Sequence, residues 1–181
     1  MQPGVIASDV SIGRLGLRPE APEDDDFLLA LYESTRAAEM ELTNWTADQR
    51  REFLRSQFQL QRTHYRRYYT HATFDVITLD DVPIGRMYVH SGSSEIRLME
   101  ISIDPALRGR GIGTQLVQSV LAEAERLGKT VTLHVEPYNP ALRLYQRLGF
   151  TIVEERGLNF LLERRSQVGR AAATISPTAS R

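Results

Sequence analysis

Apolar side chains recur at two spacings along this chain, and the alternation between them outlines its elements. Val131, Leu133 and Val135 alternate with Thr132, His134 and Glu136, as in a strand with one buried face. Ile112, Leu116, Val117, Val120, Leu121, Ala124 and Leu127 recur at helical spacing, and Gly128 follows as a stop signal. The same reading extends to the rest of the chain. Residues 14–18 read as a short first strand. Residues 22–40 read as a helix with Glu23, Asp24, Asp25 and Asp26 crowding its first turn, where carboxylates complement the helix dipole. Phe27, Leu28, Leu31, Ala37 and Ala38 form its apolar stripe. Thr46-Ala47-Asp48-Gln49 is a capping box opening a second helix, whose core face is expected to use Phe53, Leu54, Phe58 and residues 61–65. Strand-like runs at 74–79, 83–90 and 95–104 are separated by Asp80-Asp81 and by residues 91–94, which predicts an antiparallel meander. Asn139-Pro140 opens a short helix with Leu142, Tyr145 and Leu148 on one face and Gly149 at its end. Two last strands are expected at 151–155 and 158–163. Residues 1–11 show no period and are expected to be flexible, residues 12–165 to form one domain, and the Ala/Ser/Thr-rich residues 166–181 to be disordered.

Composition narrows the class. The chain has 181 residues, enough for one domain with a real core. Its formal net charge is −1, from 22 basic and 23 acidic side chains, so no overall field favours nucleic acid or an anionic membrane. No apolar run approaches the ~20 residues that cross a bilayer, and the first residues lack the basic start and apolar core of a signal peptide, so a cytoplasmic location is the expectation. With no cysteine, disulfides, thiolate metal sites and acyl transfer through a protein thiol are excluded. His64, His71, His90 and His134 show no helical metal-binding spacing, and no metal is expected. His64-Tyr65-Arg66-Arg67-Tyr68-Tyr69 is basic and aromatic, but it closes a helix in a chain without positive charge, so no nucleic-acid partner is expected.

The most informative stretch is Leu107 to Leu116, LRGRGIGTQL, between an apolar strand and the long helix. Gly109, Gly111 and Gly113 leave the backbone bare, the helix adds its N-terminal partial charge, and Arg108 and Arg110 add two full charges. The arrangement suits a phosphate-bearing ligand. The spacing is not that of a dinucleotide fingerprint, because the required last glycine would fall on Thr114 or Leu116. The phosphate-loop G-K-[ST] ending is absent as well. What remains is R-x-x-G-x-G at Arg108, Gly111 and Gly113. About 30 residues on, the chain reads N-P-A-L-R-L-Y-Q-R-L-G-F from Asn139 to Phe150. Together these motifs resemble those of the GCN5-related N-acetyltransferase (GNAT) family; the interval between Asn139 and Ala141 is one residue shorter than in some members.

The resemblance implies an α/β fold with a central mixed, mostly antiparallel sheet of about six to seven strands flanked by about four helices. It implies transfer of acetyl from acetyl-coenzyme A directly to a primary amine through a tetrahedral intermediate. The alternative is a non-catalytic domain of the same fold that binds acyl-coenzyme A as sensor or scaffold. The cofactor would be held by Arg108, Gly109, Arg110, Gly111, Ile112, Gly113 and Thr114 at the pyrophosphate, by the strand residues Ile101, Ser102 and Ile103, and by Asn139, Ala141 and Tyr145 along the pantetheine arm. A backbone N–H at Ile101 or Ile103 would polarise the carbonyl. Tyr145 is the candidate acid for the leaving thiolate, since a phenol near pKa 10 matches a thiol of similar basicity. Glu100 is the candidate base, directly or through a water; its own reading is that an acid in an apolar strand faces a wet cleft or a partner such as Arg97 or Arg86. The first two helices and their junction, with Glu39 and Trp45, would shape the acceptor site beside Glu100. The acceptor is left open between a small molecule and a protein amine, no membrane partner is expected, and a homodimer, common in the family, is left open too.

Overall fold

The computed structural model describes residues 13–167; the expectations for residues 1–11 and for 168–181 lie outside them. Seven strands form one sheet in the order β1-β2-β3-β4-β5-β7-β6. The chain runs β1 (Leu15–Pro19), a 3₁₀ turn (Pro22–Asp24), α1 (Asp25–Glu41), α2 (Ala47–Tyr68), β2 (Ala72–Leu79), β3 (Val82–Ser91) and β4 (Glu95–Ile103). A second 3₁₀ turn (Pro105–Leu107) leads to α3 (Ile112–Leu127), β5 (Thr130–Val135), α4 (Ala141–Arg147), β6 (Thr151–Arg156) and β7 (Asn159–Arg164). The fold class is the one the resemblance implies. Every neighbouring pair is antiparallel except β4 and β5, which run parallel.

Each sheet face has its own core. Ile77, Met87, Ile96, Leu98, Val131 and Leu133 pack against Leu116, Val117, Val120 and Leu121 of α3 and Tyr145 of α4. On the other face, Val76 packs beneath Leu28 and Tyr32 of α1 and Leu54 and Phe58 of α2. Phe53, expected in that core, is instead 36% exposed and lies edge-on to Trp45 at 5.0 Å. The inward series is Leu54, Phe58, Gln61 and Tyr65; Phe53 precedes it by one residue, which turns it by about 100° around the helix.

The local signals act as physical chemistry requires. Thr46 Oγ1 accepts from the Gln49 N–H at 3.3 Å and Gln49 Oε1 from the Thr46 N–H at 2.9 Å, closing the capping box of α2. Asp80 and Asp81 adopt φ of 50° and 66°, as a tight hairpin turn between β2 and β3 demands. The first helix starts later than its acidic run. Pro22–Asp24 is a 3₁₀ turn, and Asp24 is buried, accepting two bonds of 2.7 Å from Arg18 and one of 2.9 Å from the Ala21 N–H. Arg18 holds the Asp24 carboxyl below its ordinary range by hydrogen bonding, against the opposing effect of burial. Packing also runs two residues past the expected boundary at 165: Ser166 is buried, and the Gln167 N–H donates to the Glu125 carboxylate at 2.9 Å.

Two irregularities position the site. Between β3 and β4 the register shifts, Tyr88 pairing with Glu100 and Val89 with Leu98, so Met99 is an extra residue on β4. The β4–β5 pairing covers only Glu95–Leu98 against Thr130–Leu133. Residues 99–103 of β4 therefore continue without a β5 partner, and the strands part at the bulge. No helix among the described residues is long and apolar enough to cross a membrane.

Candidate functional site

Beyond Ile103 the chain turns sharply into α3. Asp104 Oδ1 accepts from the Ala106 N–H at 2.9 Å and fixes the 3₁₀ turn. Gly109 and Gly111 follow with φ of 75° and 83°, left-handed values that cost little only for glycine. A Cβ at either would meet nothing within 4 Å, so the backbone there is open on its outer side. Gly111 is the N-cap of α3 and has no capping side chain. The N–H groups of Ile112, Gly113 and Thr114 lie in the first turn, where a helix supplies no internal partner. Arg108 donates from Nε to the Ile103 carbonyl at 3.0 Å, tying the turn to the end of β4. Arg110 is exposed at the rim. This set of donors suits a polyphosphate: bare amides at a helix N-terminus with two guanidinium groups beside them.

On the other side of the parting strands stands α4. Asn139 Oδ1 accepts from the Ala141 N–H at 2.9 Å, so Asn139 caps this helix in practice although Pro140 already has helical dihedrals. Tyr145 is buried to 6% exposure, edge-on to Phe150 at 5.7 Å. Its hydroxyl makes no hydrogen bond to another described residue. Burial, with the Glu100 carboxylate as a second cause, pushes the Tyr145 phenol up to about 12. The phenol is therefore neutral at any physiological pH, and the Glu100 carboxylate is near enough for its charge to act on it.

Glu100 both faces a partner and reaches solvent. Its side chain is 20% exposed, and Oε1 lies 3.2 Å from an Arg86 terminal nitrogen and accepts the Ser102 hydroxyl at 2.7 Å. Of the two partners considered from sequence, Arg86 is the one used; Arg97 pairs with Glu95 at 3.2 Å. Arg86 and the helix residue Gln61 join the candidate set from the structure. Their signal in the sequence is a polar group at a core position: Arg86 inside an apolar strand, and Gln61 between Phe58 and Tyr65 on the inward face of α2.

The acceptor-side candidates are more dispersed. Glu39 pairs with Arg36 at 2.9 Å, and Arg36 reaches Glu136, just past the end of β5, at 4.0 Å. That contact brings the C-terminal half of α1 to the end of the sheet where β4 and β5 separate. Trp45 is 40% exposed and lies edge-on to Phe53 at 5.0 Å. The basic and aromatic run at the end of α2 is partly drawn into the fold: Arg66 pairs with Glu20 at 3.1 Å, and Tyr65 lies edge-on to Tyr88 at 6.0 Å. Among the described residues no three His, Asp or Glu side chains are grouped to hold a metal ion. A hollow of about 940 Å³ between α3 and the β6–β7 hairpin, lined by residues such as Leu121, Leu148 and Val153, contains none of the candidate residues.

Comparison with known proteins adds three findings. A sequence model described as the acetyltransferase (GNAT) family matches residues 35–150. No curated protein sequence matches. Solved structures match at the level of the fold. The PaiA N-acetyltransferase of Thermoplasma acidophilum, in complex with coenzyme A, is 16% identical with a TM-score of 0.62 over 84% of this chain and 99% of its own. The ribosomal-protein-S18-alanine N-acetyltransferase of Escherichia coli is 17% identical with a TM-score of 0.58 over 84% and 94%. A GNAT family acetyltransferase of Elizabethkingia anophelis with acetyl-CoA bound is 16% identical with a TM-score of 0.54 over 83% and 97%.

Proposed function

The chain belongs to the acetyltransferase (GNAT) family, and we propose that it transfers acetyl from acetyl-coenzyme A to a primary amine by direct attack. The observation that carries this reading is the glycine turn, open at Gly109 and Gly111, at the end of a strand that has left its neighbour, with Tyr145 and Glu100 beyond it. The coenzyme A and acetyl-CoA bound to the Thermoplasma and Elizabethkingia proteins support the choice of donor.

In this reading the pyrophosphate rests on the N–H groups of residues 109–114 with Arg108 and Arg110 beside them. The pantetheine arm runs along Ile101, Ser102 and Ile103, where β4 lacks β5, and passes Asn139 and Ala141. The amine nitrogen attacks the thioester carbon, and the oxyanion takes a backbone N–H of Ile101 or Ile103. Glu100 accepts the amine proton, directly or through a water. The C–S bond then breaks, and the Tyr145 phenol gives its proton to the thiolate. Glu39 and Trp45 belong to the acceptor side.

Calorimetry with acetyl-coenzyme A, followed by thiol release over a panel of peptide N-termini, lysine peptides, polyamines and aminoglycosides, tests the proposal. Binding and turnover with at least one amine class are expected. Binding without thiol release across the panel would replace the enzyme with an acyl-coenzyme A sensor, and no binding by folded protein would remove both.

A further inference from the structure

A charged side chain lies at the centre of the sheet. β3 reads Ile84-Gly85-Arg86-Met87-Tyr88, and Arg86 is 1% exposed. Its guanidinium carbon lies 5.6 Å from the Tyr32 ring, 5.6 Å from Phe58 and 5.1 Å from Tyr88. Those faces return part of the cost of removing a cation from water, but Nε and one terminal nitrogen are buried with no hydrogen-bond partner. The polar anchoring passes through the other terminal nitrogen. It donates to Gln61 Oε1 at 3.0 Å and lies 3.2 Å from Glu100 Oε1. Replacing a whole buried ion pair by apolar side chains is often neutral or stabilising, so stability alone does not account for an arginine here.

The consequence appears at the far end of the ion pair. Glu100 Oε1 carries both Arg86 and the Ser102 hydroxyl, the latter at 2.7 Å. Among the described residues Oε2 has no donor, and it is not sealed from solvent. One oxygen is held by two groups on two strands, and the other is left to accept a proton. Gln61, on α2, accepts from the same terminal nitrogen of the arginine that lies against Glu100.

We propose that Arg86 is a positioning residue: anchored by Gln61, it fixes the Glu100 carboxylate so that Oε2 alone is presented to the incoming amine. The proposal rests on the acetyltransferase reading and assigns Arg86 no contact with either substrate.

The experiment is a double-mutant cycle on kcat, with KM for acetyl-coenzyme A measured alongside and calorimetric binding of acetyl-coenzyme A as the check on folding. Arg86→Met is expected to lower kcat about tenfold or more, because misorienting a reacting group costs rate rather than binding. KM for acetyl-coenzyme A stays within about twofold, since uniform binding is untouched. Arg86→Lys restores part of the loss. In the Glu100→Gln background Arg86→Met has no further effect on kcat, since residues acting as one unit are non-additive. Gln61→Leu leaves the arginine in place and removes its anchor; it serves where Arg86→Met fails to fold, and its smaller loss is likewise expected to vanish on top of Glu100→Gln. An active wild type whose single losses multiply in the double variant, or Arg86→Met with unchanged kcat, overturns the positioning role alone. A wild type that binds acetyl-coenzyme A and acetylates no amine overturns this role together with the acetyltransferase reading.

Discussion

Arg108 Nε donates to the Ile103 carbonyl at 3.0 Å, so the first arginine of the glycine turn is also a clasp on the last residue of β4. The bond holds the guanidinium against the strand while the exposed side chain stays beside the turn. Arg108→Ala is expected to weaken acetyl-coenzyme A binding about tenfold, near 1.4 kcal/mol. Arg108→Lys keeps the charge, loses the planar fork, and recovers only part of the affinity. Arg110→Ala, at the exposed rim, changes affinity less than about threefold, and less still at high salt. Calorimetry at two ionic strengths checks all three; unchanged binding by Arg108→Ala would remove the pyrophosphate from this turn.

Tyr145→Phe tests the acid. The ring is buried and packs edge-on to Phe150, while the hydroxyl has no partner among the described residues, so the substitution should leave the fold intact. Loss of a positioned acid lowers kcat by about a hundredfold or more. Because the phenol is raised to about 12, the wild type should show no alkaline fall from Tyr145 between pH 7 and 10. A phenylalanine variant that keeps wild-type kcat would remove Tyr145 as the acid, whereas a fall in that window that is present in wild type and absent in the variant would contradict only the raised phenol.

The same burial limits alkaline stability. Tyr65 and Tyr145 are each pushed up to about 12, and Tyr88 is raised as well, all chiefly by burial. A phenol whose folded value exceeds its unfolded value of about 10 favours the folded state fully below that pH and loses the contribution as pH rises through the folded value. Stability should therefore fall steeply between pH 10 and 12. Ultraviolet titration should then show part of the seven tyrosines ionising only with unfolding. Smooth ionisation of all seven in a still-folded chain would contradict the burial.

Much of this was legible in the sequence because the signals are local. The capping box, the Asp80-Asp81 turn, the Asn139 cap and the glycine stops at Gly128 and Gly149 each depend on a few neighbouring residues, and each stands where its chemistry predicts. Glu100 was legible only as a pair of alternatives, and it uses both: an ion pair with Arg86 and partial exposure. What is non-local was hidden. The bulge at Met99 shows in β4 only as a change of parity, with Ile96 and Leu98 packing inward before it and Ile101 and Ile103 after it. The parting of β4 from β5, and the meeting of Gln61 with Arg86, depend on pairings between segments far apart in the chain, which no local spacing encodes.

Gly85 marks how tightly β3 approaches the site strand. A Cβ there would lie 2.4 Å from the Ser102 carbonyl oxygen and 3.3 Å from the Ile103 Cα. Neither is a flexible side-chain end, so Gly85→Ala must push β4 aside at the residues assigned to the pantetheine arm. A destabilisation of about 1–3 kcal/mol is expected by chemical denaturation, as for overpacked cores. Acetyl-coenzyme A binding should fall beyond what the lost folded fraction explains, and a stable variant with full affinity would show that β4 yields there without consequence.

Gly113 separates the demands of the fold from those of the ligand. It lies in the first turn of α3, outside the left-handed region, and an added Cβ would meet only Ile103 Cδ1 at 3.6 Å and Leu144 Cδ2 at 3.7 Å, ordinary contact distances. Nothing in the folded chain therefore requires glycine, and Gly113→Ala should stabilise it by about 0.4–1 kcal/mol through the smaller entropy of the unfolded state. If the bare amides of this turn receive a pyrophosphate, the same methyl stands between the side chains of β4 and α4 on the path of the bound chain and weakens acetyl-coenzyme A. The expected outcome is a higher melting temperature with an affinity lowered about tenfold. Gly111→Ala provides the contrast. Its φ of 83° makes alanine costly before any ligand arrives, so stability and binding should fall together. A Gly113→Ala variant that melts higher and binds as tightly as wild type would place the ligand's phosphates elsewhere.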